Sequence, residues 1–493
     1  MIISCNLEPP RIYASIHELI RMAYPDADIY REYNNECEIE IKLRLAEHAG
    51  QYLLEGSIAS GYKTSLLSQT RSEESLGFEQ GNTRRFLQRF TYRLLATHLE
   101  RDFNAYGILT GVRPVKLVHG FLDQDYTREA IQIKLENEYL MNPGKARLLL
   151  EVAQNNRPFL LEPAAAKKMI SVYIGIPYCP SRCYYCSFPG AVMKDYEREA
   201  GPFLTALFRE MKELGEFAKS NGLAVQSIYL GGGTPTVLSA GDLQRVFELL
   251  HHYYISAACE EISVEAGRPD TLSLQKLKLL RDAGVSRVCI NPQSMNDATL
   301  KRIGRNHDSK GVMQSVGWAR EAGIKQINMD LIVGLPGESI REVTYTAEEI
   351  LKINPENITV HTLAVKRGSV MAELEGKSNV HSRIQEVEEA LNQLSAMFRE
   401  QAYIPYYLYR QKYMKASMEN TAYARPDSFC LYNIQMMEER QSIIGMGGGA
   451  SSKFVNVSNG SLSSFHNPKN PQSYCQSIER LIKGKVDKLR ALN

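Results

Sequence analysis

Three cysteines, Cys179, Cys183 and Cys186, follow the strand-like run SVYIGIP with CxxxCxxC spacing. Thiols this close together usually hold a metal centre. A 4Fe-4S cluster normally takes four thiolates, so three in one short loop leave one iron open to a ligand from outside the protein. Chemistry would happen at that open iron. A zinc site would want a fourth Cys or His at finger-like spacing, and a disulfide would leave one of the three thiols unpaired. Ser187 and Phe188 follow Cys186, so no fourth ligand completes the loop. The spacing favours a cluster over both alternatives.

Such a loop needs a scaffold, and the chain supplies a repeating one. From residue 171 onward, six short β-rich runs alternate with longer stretches of helical period: SVYIGIP, QSIYLGGG, EISVEAG, RVCINPQS, QINMDLIVGLP and NITVHTLAV. Between them lie helical candidates such as FLTALFREMKELGEFAKS and IREVTYTAEEILKIN, and RIQEVEEALNQLSAMFREQ follows the last. Right-handed crossovers between such units build a parallel sheet, and six units make a partly open barrel rather than a full eight. In these folds chemistry sits at the C-terminal ends of the strands, where the cysteine loop also falls.

Other residues recur at that edge. The second run ends in GGGTP, residues 231 to 235, whose glycines permit close backbone approach and whose N–H groups and Thr234 hydroxyl suit a carboxylate or amine. Glu265, Gln293 and Asp330 follow or interrupt the next three strands. A polar residue in an apolar strand is costly unless paired, so each is a ligand-facing candidate, with a satisfied structural hydrogen bond as the alternative. His307 and His361 lie near strand ends, where proton transfer or an axial iron position competes with a structural role.

Composition sets the limits. The 493 residues, 44% hydrophobic, suffice for two or three domains. A net charge of +2 and a pI near 8.0 give no bias toward nucleic acid or anionic membranes. Six further cysteines, at 5, 37, 259, 289, 430 and 475, are scattered rather than arranged as a secreted disulfide framework. With no run of about 18 apolar residues and no basic leader, the expectation is a cytoplasmic protein without a membrane span.

Together, CxxxCxxC after the first strand, GGGTP, the glutamate strand and the partial barrel resemble the radical S-adenosylmethionine enzymes. YIGIPYC, YLGGGTPT, NPQS leading to LKRIGRNH, and MDLIVGLPGES look closer still to the oxygen-independent coproporphyrinogen III oxidase (dehydrogenase, HemN-like) branch, over about residues 170 to 455. The whole chain looks most like the HemZ-type subgroup. The resemblance implies an α/β fold: a partial (β/α)6 barrel over 166–380, an additional α+β domain over 1–165 and a C-terminal HemN-like region over 381–493.

It also implies a site. Cys179, Cys183 and Cys186 would bind the 4Fe-4S cluster, with the methionyl amine and carboxylate of S-adenosylmethionine on the open iron. Tyr173, Gly232, Gly233, Thr234 and Glu265 would surround that cofactor. Tyr185, Gln293, Arg305, Asp330 and Ala364 match further contact positions, some at a second cofactor molecule. Tyr173, Glu265 and Arg305 carry the expected catalytic roles, and Arg305 suits a carboxylate of cofactor or substrate. By the same resemblance, one electron cleaves the sulfonium and a 5′-deoxyadenosyl radical takes hydrogen from a porphyrinogen propionate. Loss of carbon dioxide and an electron then leaves a vinyl group. A tetrapyrrole substrate and an electron donor such as flavodoxin or ferredoxin are the implied partners.

Phe188 stands where established dehydrogenases often carry a fourth cysteine, and the CSF ending is shared with haem chaperones and haem-degrading methyl-transferring relatives. Tyr432, Asn433, Met436 and Met437 stand where the chaperones tend to carry His-Asn and a Tyr-Trp pair. Met436 and Met437 would contact a porphyrin or, as a methionine pair more often does, fill core. The glycines at 445 and 447–449 imply a tight turn or close approach to a ligand. Three functions follow: dehydrogenase, haem delivery, and radical modification of haem. In the N-terminal region EIEIKLRL alternates like a strand, RRFLQRFTYRLLATHLERDF reads as an amphipathic helix, and Arg113 and Lys116 are candidates for a carboxylate-rich substrate.

Overall fold

The computed structural model describes residues 1–492 except 33, 49–50, 62, 73–79, 189, 367, 375–383 and 412–417. The expected boundary at 380/381 and the first residue of the RIQEV helix, Arg383, therefore lie outside the described residues. The chain forms two compact units, one centred on Met1–Ala153 and one taking most of Gln154–Asn493. No helix among the described residues is long and apolar enough to cross a membrane.

In the first unit, EIEIKLRL lies in the strand Ile39–His48 of a five-stranded sheet, between Ile2–Glu8 and Gln51–Ser60. The helices Tyr13–Ala23 and Gln80–Leu99 pack on it. Phe86, Phe90 and Leu94 are buried at helical spacing, so the helix is held by its apolar face. Lys116 lies on the helix Val115–Leu122, just after Arg113.

The second unit is built on six parallel strands in sequence order: Met169–Ile176, Ala224–Gly232, Glu261–Val264, Arg287–Cys289, Gln326–Val333 and Asn357–Thr362. They form the middle of an eleven-stranded sheet. Antiparallel Glu419–Ala424 extends one side, and Ser442–Gly447, parallel to the first strand, extends the other. The connecting helices start where the sequence supplies a side-chain acceptor. Ser239, Ser273, Asp308 and Ser339 each accept a backbone N–H, Ser339 in a capping box with Glu342. Gly323 ends one helix at φ +83°, a left-handed position that suits glycine.

Alternation along the strands creates two unlike faces. Ile170, Val172, Ile174, Ile228, Leu230, Val264, Val288, Met329, Leu331 and Val360 join the helices in one apolar core. The intervening positions carry Tyr173, Tyr229, Glu261, Glu265, Arg287, Asn328, Asp330, Asn357, Thr359 and His361, and they face the barrel interior. Runs that look simply apolar in sequence thus hide a polar inner face. The fourth strand is shorter than RVCINPQS suggests, because Gln293 adopts φ +67° and leaves the ladder except for one bridge to Leu331.

The barrel floor is closed by the helix Leu431–Glu438. Glu261 accepts from the backbone N–H of Leu431 at 2.9 Å and Tyr432 at 3.4 Å, so a carboxylate caps this helix at its positive end. Arg287 pairs with Glu261 at 3.4 Å and donates to Asn357 and to the carbonyls of Ser428 and Phe429.

Candidate active site at the open end of the barrel

The cysteine loop leaves the first strand and is gripped from three sides. Gly233 N–H donates to Ile176 O (2.7 Å) and Thr234 N–H to Tyr178 O (2.8 Å). The expectation that these donors meet a ligand is therefore corrected: they hold the loop. The Thr234 hydroxyl likewise faces Thr236 and the Glu265 carbonyl. A Cβ on Gly233 would collide with the Tyr178 carbonyl and sit 3.1 Å from Cys179 Sγ, which explains glycine there. On the second side, Tyr184 N–H donates to Ile303 O at 3.0 Å, joining the loop to the segment that carries Arg305.

The third grip comes from the C-terminal glycines. Gly447, at φ +87°, lies so close to Gly175 that a Cβ would meet its carbonyl, and a Cβ on Gly175 would lie 2.6 Å from Gly448 O. The glycine run serves close packing on the first strand rather than approach to a ligand. A fully buried Lys485–Glu210 pair anchors it: Glu210 accepts from Gly447 N–H at 2.8 Å and from the Tyr474 hydroxyl at 2.7 Å. Met436 packs against the aromatic interior, in the core-filling role.

Cys179 and Cys183 are buried and Cys186 is partly exposed. Burial pushes the Cys179 thiol up to about 12, with the neighbouring thiols adding to the effect, and burial also raises Cys186. Ligation must therefore displace protons, which couples metal uptake to pH. Among the described residues no three His, Cys, Asp or Glu side chains meet closely enough to hold a single ion. All three cysteines lie on one loop, and thiols are the donors that a 4Fe-4S cluster takes. Phe188 is 57% exposed, with the Lys366 ammonium 4.3 Å from its ring centre, and its N–H donates to Cys186 Sγ at 3.4 Å.

Inside the barrel the second- and third-strand candidates converge. The Tyr229 hydroxyl donates to Glu265 Oε1 at 2.9 Å, and a Cβ on Gly231 would lie 2.9 Å from Glu265 Oε2 and 3.1 Å from the Tyr173 hydroxyl. Gly232, at φ +109°, passes close over Ile176. Burial raises Glu265 to about 7, the Tyr229 bond opposes this, and the Asp330 charge reinforces it. Burial also pushes Asp330 upward, but the hydrogen bonds of His361, Asn328 and Thr359 outweigh it and leave Asp330 below its ordinary value. Its contacts are His361 Nε2 at 3.4 Å and Asn328 Nδ2 at 2.7 Å. Two carboxyls driven apart in this way are a recurring feature of reactive sites.

Gln293 joins this group through its backbone, donating its N–H to Asp330 O at 2.9 Å. Arg305 donates to Gly267 O at 2.8 Å and to the Tyr185 hydroxyl at 3.3 Å, while its buried Nε has no partner among the described residues. Burial and then the Arg305 charge lower His307 to about 4, so its ring is neutral at pH 7. His361 is engaged with Asp330 and, at 3.5 Å, with the Tyr409 hydroxyl. Ala364 is buried beyond the sixth strand.

Tyr432, singled out in the sequence by its position in the C-terminal segment, and two residues not singled out there, Tyr229 and Arg268, complete the site. Tyr229 and Tyr432 stack with ring centres 4.7 Å apart, and Tyr173 lies 6.1 Å and 6.0 Å from them. Arg268 reaches the cysteine loop from the third strand. Tyr229 was legible, two residues before Gly231 and so on the same strand face, whereas the place of Tyr432 against it is set by a helix distant in the chain.

Comparison with known proteins agrees with this geometry. The radical SAM superfamily model matches residues 173–350. The oxygen-independent coproporphyrinogen-III oxidase-like protein HemZ of Bacillus subtilis (strain 168) is 34% identical over 99% of this chain and 97% of its own length. The heme chaperone HemW of the same organism is 33% identical over 51% of this chain and 65% of its own. Among solved structures, coproporphyrinogen III oxidase (HemN) from Escherichia coli shares the fold, with a TM-score of 0.51 at 23% identity over 66% of this chain and 72% of that one. Membership of the superfamily implies a 4Fe-4S cluster and S-adenosylmethionine. By its match along nearly the whole sequence, the chain belongs to the HemZ family of oxygen-independent coproporphyrinogen III oxidase-like radical SAM proteins.

Proposed function

We propose that the chain oxidatively decarboxylates coproporphyrinogen III propionates to vinyl groups without oxygen, toward protoporphyrinogen IX. The supporting observation is Tyr432. In the segment where haem chaperones tend to present His-Asn, this chain folds a tyrosine into the barrel interior, stacked on Tyr229 beside the Glu265 carboxyl. That position favours a closed reaction chamber over an exposed axial haem ligand.

When bound at Cys179, Cys183 and Cys186, the cluster with S-adenosylmethionine supplies one-electron sulfonium cleavage and a 5′-deoxyadenosyl radical. Glu265 suits the cofactor's amine: its carboxyl titrates near neutrality, is held by Tyr229, and has no ion-pair partner among the described residues. Asp330, kept ionised by Asn328 and His361, offers fixed negative charge for a cofactor hydroxyl or amine. The unpartnered Arg305 Nε suits a carboxylate. The tyrosine stack fills the interior below these groups and excludes water. Gly232, Gly233, Thr234, Gln293, Tyr185 and Ala364 shape the walls. A donor such as flavodoxin or ferredoxin delivers the first electron, and an external acceptor takes the one released with carbon dioxide.

Similarity to HemW favours a second reading, haem delivery without turnover. The test is an anaerobic reaction of reconstituted protein, reductant, S-adenosylmethionine and coproporphyrinogen III, read by mass spectrometry beside a haem titration. Loss of one or two carbon dioxide units supports the dehydrogenase. Stoichiometric haem binding with no product replaces it with delivery, and an open-chain tetrapyrrole from haem replaces it with haem modification.

A further inference from the structure

Arg268 follows the third strand, and its charge sits among the cysteines rather than among substrate-facing groups. The side chain is buried. Its Nη1 lies 3.6 Å from Cys183 Sγ and 3.4 Å from Ser181 O, and its Nη2 donates to Ser181 Oγ at 2.8 Å. Nε and Nη2 hold Asp270 in a two-point pair at 3.0 and 2.9 Å. The backbone is fixed as firmly: the Thr271 hydroxyl donates to Arg268 O at 2.8 Å, and Thr271 touches Thr236 of the GGGTPT turn at 2.7 Å. Every feature that gives a guanidinium one orientation is present, and that orientation presents an N–H to sulfur.

We propose that Arg268 is a positioning residue for the cluster, donating to Cys183 Sγ and stabilising the negative charge that the cluster gains on reduction. The inference rests on the cluster reading above. Hydrogen bonds to ligand sulfurs and nearby charge both set iron–sulfur potentials, and a buried cation acts in a medium that screens it little. Arginine suits the task because it stays protonated and its planar fork satisfies Asp270, Ser181 and the sulfur at once. Asp270 is the counterweight: it orients the guanidinium and offsets part of its charge, so the two residues push the potential in opposite directions.

The test is an anaerobic potential titration of reconstituted protein, followed by the electron paramagnetic resonance of the reduced cluster, on wild type, Arg268→Gln and Asp270→Asn. At the wild-type midpoint, R268Q should lower the reduced-to-oxidised ratio about tenfold, equivalent to about 59 mV for one electron. D270N should raise the ratio. An unchanged ratio in R268Q at equal iron content overturns the proposal, as does movement of both variants in the same direction, which would mark repacking rather than charge. Where R268Q holds no iron, D270N decides: a raised ratio supports the role and an unchanged one removes it. Wild-type protein that takes up no iron would refute the cluster reading itself, a separate result.

Discussion

The two ends of the barrel interior treat buried charge in opposite ways. At the floor, Glu261 faces Arg287, and the carboxylate takes the N–H groups of the helix that closes that end. At the rim, the Asp330 charge raises Glu265 instead of completing it, and Glu265 has only the Tyr229 hydroxyl as side-chain donor. The floor is a structure whose charges complete each other. Asp330 is held by His361 and Asn328, but Glu265 has no ion-pair partner among the described residues, as expected where binding energy is kept for a ligand.

The largest break in this contrast comes at the loop. Alanine at Cys179, Cys183 or Cys186 should reduce bound iron more than tenfold and abolish all redox products, while the chain still unfolds cooperatively in urea. Iron analysis after anaerobic reconstitution checks this. At the floor, Arg287→Ala should cost about 3–5 kcal/mol of stability by stranding Glu261 as a buried lone charge. Glu265→Gln at the rim should not destabilise the metal-free chain at pH 7, yet should weaken S-adenosylmethionine binding at least tenfold with iron content unchanged. Equal destabilisation at both ends, seen in urea unfolding of the metal-free protein, would erase the distinction.

A smaller effect sharpens it through pH. The folded-state value of Glu265, about 7, lies above its ordinary 4.5, so the folded chain binds this proton more tightly than the unfolded one. Its contribution to stability is complete below pH 4.5 and is lost as pH rises through 7, at no more than about 1.4 kcal/mol per pH unit. Asp330 is lowered and acts in the other direction: its contribution is present above its ordinary 3.8 and lost as pH falls further. Urea midpoints of the metal-free protein between pH 5 and 7 should therefore fall less in E265Q than in wild type. Smallest of all, Phe188→Ala, at an exposed position, should leave stability within about 0.5 kcal/mol.

Much of this was legible in the chain. CxxxCxxC, GGGTP and alternating strand and helix periods marked the loop, its neighbouring turn and the barrel, because each is a local pattern. Glu265 and Asp330 stood out as polar residues in apolar runs. What escaped was set by tertiary contact. The donors of Gly233 and Thr234 are claimed by the cysteine loop, Gly447 and Gly448 pack on Gly175 and Pro177, and Tyr432 enters the barrel from a helix far along the chain. Arg268 looked like one basic residue among many, and only the fold brings it to Cys183.

The most direct measurement uses coproporphyrinogen III labelled in its propionate carboxyls, turned over anaerobically by the reconstituted protein with S-adenosylmethionine and reductant. The expected result is one labelled carbon dioxide and one 5′-deoxyadenosine for each vinyl group formed, both lost in the Cys183→Ala variant. Deoxyadenosine without labelled carbon dioxide would contradict the assignment and move the substrate search to haem.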